Sequence, residues 1–370
     1  MSETKSVVLS ELIKKSNQIN DVLDVVSEAE KKATYTRKST TTINEGEVAY
    51  SEFPTYVKDT YGYQLLGWKW DGSLPDFGIK VFDVNSWPEI VQKFIPKYNP
   101  KQPHYFPDEF YDVVWGITRG YNVACRGKPG SGKTTGIKNF CALTGIPYAR
   151  VNCSEGTTED KFFGKNALQD GDTVPIYSPA SLLAKHGGIM ALEEWEMALQ
   201  GVLVALLPAM EHPRYFDLSE LLIGSEEQFI ECNENFSMVM CSNTGGLGDM
   251  YGDYGGVNAQ NKAVLDRFDI MKEFEYLPFN QEFTLLRHSY PDIDDKQLEL
   301  IIRFGSALRN AFQKRDVSLP WSVRGLKTLC NGFLHYGDIK RTFKRLLSDK
   351  YSNENESIAV QTILDEILGT

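Results

Sequence analysis

The feature that most constrains this chain is the run 127–134, which reads Gly-Lys-Pro-Gly-Ser-Gly-Lys-Thr. It matches GxxxxGK[ST] at every fixed position, and it lies between an apolar strand-like run, 122–125, and a helix-like run, 135–143. Glycines let a backbone close around phosphate groups, and the amides at a helix N-terminus point towards a bound anion. The run therefore predicts a phosphate-binding loop within an α/β fold.

The ligand that this loop predicts is ATP with Mg²⁺. Lys133 supplies a positive charge to the β- and γ-phosphates, and the Thr134 hydroxyl is a predicted magnesium ligand. The other predicted nucleotide-binding residues are Gly127, Pro129, Gly130, Ser131, Gly132 and Thr135.

A second run, 188–194, is apolar and ends in two acids, Glu193 and Glu194. Downstream of a phosphate loop this is the Walker B arrangement, in which the first acid holds the metal shell and the second polarises the attacking water. Most ATPases of this type have Asp first, whereas Glu193 carries its carboxylate one CH₂ further out. Taken alone, such an acid pair is also compatible with a surface helix.

Three more residues follow in the order that a ring ATPase requires. Asn243 ends an apolar run and is predicted to orient the attacking water as sensor 1. Arg267, between Asp266 and Phe268, occupies the arginine-finger position, from which it would reach a neighbouring subunit's nucleotide. Arg324 opens a lid helix and fits sensor 2, in cis or in trans. In isolation, such an Asn is usually a turn residue and such an Arg a surface ion pair.

Residue patterns divide the chain into four predicted parts. Residues 1–45 hold an amphipathic helix and a polar linker, and residues 46–96 form a small aromatic-rich module that contains β-strands. Residues 97–277 are the α/β ATPase core, and residues 278–370 are a helical lid. The N-terminal helix, over 7–33, is either a partner-binding arm or a helix that lies on its own domain, and a hairpin is expected at Asp71-Gly72.

Within the core, short apolar runs alternate with helical stretches, which is typical of a parallel sheet covered on both faces. The predicted strands are 122–125, 149–153, 189–192, 236–241 and 270–276. The predicted lid helices are 294–313, 322–335, 338–347 and 358–368.

Composition excludes several classes of protein. A net charge of -11 argues against broad nucleic-acid or anionic-membrane binding. The chain has no apolar run of membrane-spanning length, and its first residues, MSETKS, lack the apolar region of a secretory signal. The six cysteines form no CxxC pair and the histidines no HExxH spacing, so neither a disulfide framework nor a zinc site is expected. These features predict a cytoplasmic protein.

Beyond the single motifs, the chain resembles the MoxR-like AAA+ ATPases, and within them the CobS-type ATPase subunits of cobaltochelatases. The resemblance covers roughly residues 97–345, and departs at Glu193 and over residues 1–95. It rests on Thr244–Asp249, Tyr254–Gly256, Asn261 and Asp266-Arg267, and on Val151-Asn152, Gly164-Lys165, Tyr276–Pro278 and Gly337–Ile339.

This resemblance implies a hexameric ring and a partner that carries a von Willebrand A-type domain. It also implies a helix-2 insert over 164–177 and a pre-sensor-1 hairpin over 215–232. CobS-like ATPases also occur in phage genomes, in which case the compartment would be the host cytoplasm.

Three functions remain open from the sequence. The first is an ATP-driven motor that remodels a protein client, and the second is the ATPase subunit of a cobaltochelatase, which rests on resemblance alone. The third is a slow, nucleotide-switched scaffold, against which the complete set of predicted catalytic residues argues. A restriction-type GTPase is a more distant alternative, because no base-reading motif is evident.

Overall fold

The computed structural model describes residues 49–52, 78–99, 104, 106–107, 109–169, 171–218, 228–248, 255–319, 321–351 and 353–369. The predicted N-terminal helix, the linker and the turn at Asp71-Gly72 lie outside these ranges. So do Asp249, Tyr254 and Pro320. Of the predicted aromatic-rich module, the described part includes strand β1 (Ala49–Glu52), which pairs antiparallel with strand β2 (Gly78–Val81).

The central feature is a five-stranded parallel sheet with strand order β11-β3-β10-β7-β4. Its strands lie where the five apolar runs predicted them, to within two residues at each end. They are β3 (Val123–Gly127), β4 (Tyr148–Asn152), β7 (Gly188–Glu193), β10 (Phe236–Ser242) and β11 (Ile270–Phe274). This confirms the predicted α/β class.

Every residue of β7 and of β10 is buried. Continuous burial is expected of strands covered on both faces, and it explains why their sequences are unbroken apolar runs rather than alternating ones. Three cysteines lie within or directly after strands of the sheet, and their free thiols are buried, as the side chains of small apolar residues would be. They are Cys125, Cys153 and Cys241.

Short helices precede, connect and cover the strands of the central sheet. They are α1 (Glu89–Gln92), α2 (Glu109–Thr118), α3 (Lys133–Thr144), α4 (Asp160–Phe163), α5 (Pro179–His186), α6 (Gln200–Val204), α7 (Leu207–Met210) and α8 (Lys262–Leu265). The same part of the chain contains two 3₁₀ turns, Val84–Ser86 and Trp195–Met197.

Two antiparallel hairpins occupy the segments that the resemblance to CobS singled out. Strands β5 (Gly164–Gln169) and β6 (Asp172–Tyr177) pair over the bounds expected of the helix-2 insert. Strands β8 (Tyr215–Asp217) and β9 (Phe229–Glu231) pair within the expected pre-sensor-1 hairpin, whose tip, 219–227, lies outside the described residues.

The C-terminal region is helical, as predicted. Its helices are α9 (Phe279–Ser289), α10 (Asp295–Gln313), α11 (Val323–Tyr336), α12 (Ile339–Leu346) and α13 (Glu354–Leu368), with a 3₁₀ turn at Ser348–Lys350. Helix α9 was not among the predicted lid helices. These helices share a separate apolar core around Phe304, Trp321 and Phe343.

The chain forms two compact units. The first takes in residues up to Tyr98, then Phe106–Gly127 and Lys133–Phe274, and the second takes in Asn99–Tyr105, Lys128–Gly132 and Glu275–Thr370. Most of the predicted phosphate loop thus groups with the helical unit. Among the described helices, none combines the length and the apolar character needed to cross a membrane.

Candidate active site

The phosphate loop begins where β3 ends and finishes in the first turn of α3. Gly127 is the last residue of β3, and its carbonyl accepts a hydrogen bond from the Lys133 ammonium. Lys133 is buried at the start of α3, Thr134 is half-buried beside it, and Thr135 is exposed. Helix propensity does not explain α3, which contains Thr, Gly and Asn. Its stability comes from a buried face with helical spacing, formed by Gly136, Ile137, Phe140 and Cys141.

The central residues of the loop, Lys128–Gly132, have their contacts within the second unit. The Pro129 carbonyl accepts a hydrogen bond from the Tyr276 hydroxyl at 3.2 Å. Gly130 has φ +78°, and a Cβ built on it would lie 2.4 Å from the Cβ of Ser322, so only glycine fits. Ser322 is the N-cap of α11, which carries the exposed Arg324 two residues later.

Ser131 is buried, and its hydroxyl has no hydrogen-bond partner among the described residues. Buried hydroxyls are normally paired, so one without a partner in a glycine-rich loop is what a missing phosphate ligand would leave. The predicted nucleotide-binding residues therefore fit an anion at this loop.

Thr134 and Glu193 are 59 positions apart in the chain and are brought into contact. The Thr134 hydroxyl donates a hydrogen bond to Oε2 of Glu193, the last residue of β7, while Oε1 of the same carboxylate is buried with no hydrogen-bond partner among the described residues. Mg²⁺ is usually bound through one or two protein oxygens together with substrate phosphates and water. This pair of oxygen donors, one with an unused atom, fits a magnesium ion bound with ATP.

Burial sets the electrostatics of these two groups. It raises the pKa of Glu193, against which the hydrogen bond from Thr134 and the charges of Arg150 and Lys133 act. It also lowers the pKa of Lys133, partly opposed by the nearby thiols of Cys241 and Cys125 and by Glu193. Burial therefore destabilises the charged forms of both side chains, and bound phosphate and metal ions of opposite charge would stabilise them. Such shifted pKa values are typical of functional sites.

Glu194 follows directly and differs from Glu193 in burial and in backbone conformation. Its side chain is exposed, and its backbone has φ 52° and ψ 34°, the left-handed region that non-glycine residues rarely adopt. Its amide donates to the Cys241 carbonyl at 2.9 Å, so β7 remains paired with β10 to this residue before the chain turns. At this turn the Glu194 carboxylate is accessible to water.

Asn243 lies one residue beyond the C-terminal end of β10, the strand that pairs with β7. Its amide donates to the Glu196 carboxylate at 2.7 Å. Glu194 and Asn243 thus leave the carboxyl edges of neighbouring strands, where side chains from parallel strands converge on a ligand.

Arg267 lies at the amino end of β3, opposite to the end from which the phosphate loop leaves. Its carbonyl accepts a hydrogen bond at 2.8 Å from the side-chain amide of Asn122, the residue before β3, whereas the phosphate loop starts at Gly127, the last residue of β3. The length of β3 separates them by roughly 16 Å at 3.3 Å per residue, which is longer than an arginine side chain. The guanidinium instead contacts Glu211 at 2.7 Å and Asp266 at 3.2 Å.

Sequence reasoning did not single out Glu196, which lies two residues after Glu194 and is 1% exposed. The only signal available was a third acid in the run Glu-Glu-Trp-Glu, and an acid at such a position is ordinarily exposed. Its burial depends on the chain turn after β7 and on the position of β10.

Comparison with known proteins gives a family match for part of the chain and several similar chains. Residues 122–268 match the family described as AAA domain (dynein-related subfamily). The aerobic cobaltochelatase subunit CobS from Sinorhizobium sp is 25% identical over 289 residues, which cover 74% of this chain and 85% of CobS. An uncharacterized protein of Staphylococcus aureus is 25% identical over 250 residues, 66% of this chain and 89% of its own length.

Among solved structures, a mutant of RuvB from Thermotoga maritima is similar with a TM-score of 0.42 and 14% sequence identity. The match covers 74% of each chain.

Proposed function

We propose that this chain, whose residues 122–268 match the AAA domain (dynein-related subfamily), is a Mg²⁺-dependent ATPase that couples hydrolysis to the remodelling of a protein client or partner complex. One observation carries the proposal: Thr134 of the phosphate loop meets Glu193 of β7, and Glu194 follows at the same edge with its carboxylate accessible. A phosphate loop, a metal-binding acid and a second acid are the parts that ATP hydrolysis requires.

The chain's own groups divide the work. Lys133 and the loop amides bind the phosphates, and Thr134 with Glu193 would hold the magnesium ion, which when bound offsets charge on the β- and γ-phosphates. Glu194 accepts the proton of the attacking water, and Asn243 orients that water. Arg267 would act on the nucleotide of a neighbouring subunit. Arg324 would act on the nucleotide from the side of the loop where Ser322 lies against Gly130.

The test is ATP turnover and ATP binding by Glu194→Gln beside the wild-type chain. Binding should persist, because it uses the loop, while turnover should fall by about 10²-fold or more, because the general base is lost. Glu299→Gln, which removes a half-buried acid that pairs with Arg303 on α10, is the matched control and should be fully active. A wild-type chain that binds ATP without Mg²⁺-dependent hydrolysis would leave the scaffold function instead.

We further propose a hexameric ring in which the hairpins β5–β6 and β8–β9 contact the client. Exposed apolar side chains on both hairpins, Leu168, Ile176 and Phe229, support this, because solvent-facing apolar residues are typical of interaction sites. A partner with a von Willebrand A-type domain remains an expectation from the resemblance to CobS. The free, mostly buried thiols support a reducing compartment, the cytoplasm.

The second candidate function is the ATPase subunit of a cobaltochelatase, favoured by the similarity to CobS over 85% of that protein. In that case a chelatase large subunit with a corrin and Co²⁺ as substrates should stimulate ATP turnover. A client-remodelling ATPase outside that pathway should not respond to them.

A further inference from the structure

Glu196 is a buried acid that neither nucleotide binding nor hydrolysis, as described above, uses. It lies in the 3₁₀ turn Trp195–Met197 directly after the two Walker B acids, and it is 1% exposed. Burial raises the pKa of its carboxyl group, and hydrogen bonds from backbone amides and the charge of Lys133 act against that shift. Burying a carboxylate costs free energy unless hydrogen bonds compensate, so its place in the turn depends on the groups that it holds.

That explanation lies in what the carboxylate holds. Its Oε1 accepts the amide of Asn243 at 2.7 Å and the amide of Thr244 at 3.4 Å. These are the first two residues after β10, and they lie where β7 has already turned away at Glu194. The carboxylate therefore continues the contact between the two chain segments beyond the last pair of strand residues, with a charge-assisted hydrogen bond.

The main chain of the same residue holds a third segment. The Glu196 carbonyl accepts the Gln260 side-chain amide at 2.9 Å and the Asn258 backbone amide at 3.2 Å. Gln260 is buried, its own backbone amide donates to the Gly246 carbonyl at 2.8 Å, and it directly precedes Asn261, the N-cap of α8. One turn thus fixes the loop after β10 and the segment that leads to Arg267.

We propose that Glu196 is a positioning residue for ATP hydrolysis, which holds Asn243 in register with Glu194 while making no contact with the nucleotide. The inference rests on the proposed ATPase function and adds a residue to it. Glu196 acts through one acceptor oxygen and through the position of its backbone. The role requires an acceptor oxygen at this reach, since both backbone amides donate to Oε1, whereas Oε2 is buried with no hydrogen-bond partner among the described residues.

Three variants of Glu196 test separately the length of its side chain, its acceptor oxygen and its negative charge. Glu196→Ala removes the acceptor, so turnover should fall by about 10²-fold, the loss expected when a catalytic group moves by about 1 Å. The Michaelis constant for ATP should change less than about threefold, since the loop is untouched. Glu196→Gln keeps an acceptor oxygen at the same reach and should stay within about threefold of wild type. Glu196→Asp keeps the charge but falls short by one CH₂, and should resemble Glu196→Ala.

The matched control is Thr144→Ala, which also removes a buried hydrogen bond, from the Thr144 hydroxyl to the Phe140 carbonyl at the C-terminal end of α3. It should lose stability and keep its turnover number. Folding of every variant is checked by thermal denaturation.

Equal turnover in wild type and in a folded Glu196→Ala or Glu196→Asp would overturn the positioning role. So would a Glu196→Gln as inactive as Glu196→Ala, because the carboxylate would then take part in the chemistry. If the alanine variant does not fold, the comparison of Gln with Asp decides alone. A wild-type chain without turnover refutes the ATPase function itself, which is a different outcome from any of these.

Discussion

Gly246 offers a sharp test of how tightly the turn after the Walker B acids packs. It lies in the loop after β10 with φ +75°, and a Cβ built on it would lie 2.4 Å from the ring of Trp195 and 3.0 Å from Leu265. Trp195 is fully buried and packs against Phe268 with ring centroids 5.4 Å apart, so its ring has no room to move away. Gly246→Ala should therefore strain the backbone and overpack the core at once.

The neighbouring Gly248 separates the two costs. It has φ +82°, the same strained region, but its built Cβ meets nothing closer than 3.4 Å. Both alanine variants should lose about 1–2 kcal/mol to the left-handed backbone. Only Gly246→Ala should lose a further 1–3 kcal/mol, roughly, to steric overlap with Trp195.

The assay is thermal denaturation of both variants beside wild type, followed by ATP turnover. For a unit of this size the extra overlap corresponds to a melting temperature lower by about 3–10 °C for Gly246→Ala than for Gly248→Ala. Turnover should also fall in Gly246→Ala, since Trp195 lies between Glu194 and Glu196. Equal melting temperatures would show that the turn accommodates a methyl group, and the packing argument would be wrong.

Three further changes have defined outcomes. Glu193→Asp withdraws the carboxylate by one CH₂ from Thr134, so half-maximal turnover should need more Mg²⁺, measured by magnesium titration, while metal-free ATP affinity stays unchanged. Burial holds the pKa of His104 at about 3 rather than 6.5, so the neutral form belongs to the fold, and stability should decline as pH falls from 6.5 towards 3. Denaturation curves at several pH values should show a weaker decline for His104→Gln. Arg309→Ala should cost about 3–5 kcal/mol, because it leaves the buried Glu282 unpaired, whereas replacing both residues with Met and Leu should cost far less in the same denaturation assay.

The sequence predicted those parts of the fold that depend on local pattern. The five strands were found because each is a short apolar run that a polar or glycine-containing segment bounds, and the phosphate loop was found because its motif is contiguous. Helix α9 was missed because Pro278 and the mixed residues after it gave no clear helical period, although proline is acceptable directly before a helix.

The structure was needed for whatever depends on strand order. That Thr134 meets Glu193 requires β3 and β7 to share the partner β10, which the motif order suggests but does not prove. The burial of Glu196 follows from the turn after Glu194, which no local pattern encodes. The position of Arg267, at the amino end of β3, could not be read from its place in the chain either.

That position determines which nucleotide Arg267 can reach. With roughly 16 Å of β3 between its carbonyl and the phosphate loop, Arg267 cannot reach the phosphates of its own subunit. Its guanidinium is held at an exposed ion pair with Glu211, a contact worth little in water and therefore easily exchanged for a neighbour's triphosphate. We accordingly predict that activity requires a ring and that Arg267 acts across the interface.

Mixing two inactive variants decides the matter. Glu194→Gln subunits keep the finger, and Arg267→Ala subunits keep the acid, so each variant alone has no complete interface. In a ring of head-to-tail contacts formed from equal amounts, about a quarter of the interfaces pair an intact acid with an intact finger, and turnover should recover to about that fraction of wild type. If Arg267 only holds α8 to Glu211, then Arg267→Ala should lower thermal stability, and mixing should restore nothing. Light scattering first shows that both variants assemble and exchange. Mixed rings without recovery would remove the finger assignment and leave the phosphate loop and the two acids as the basis for ATP hydrolysis.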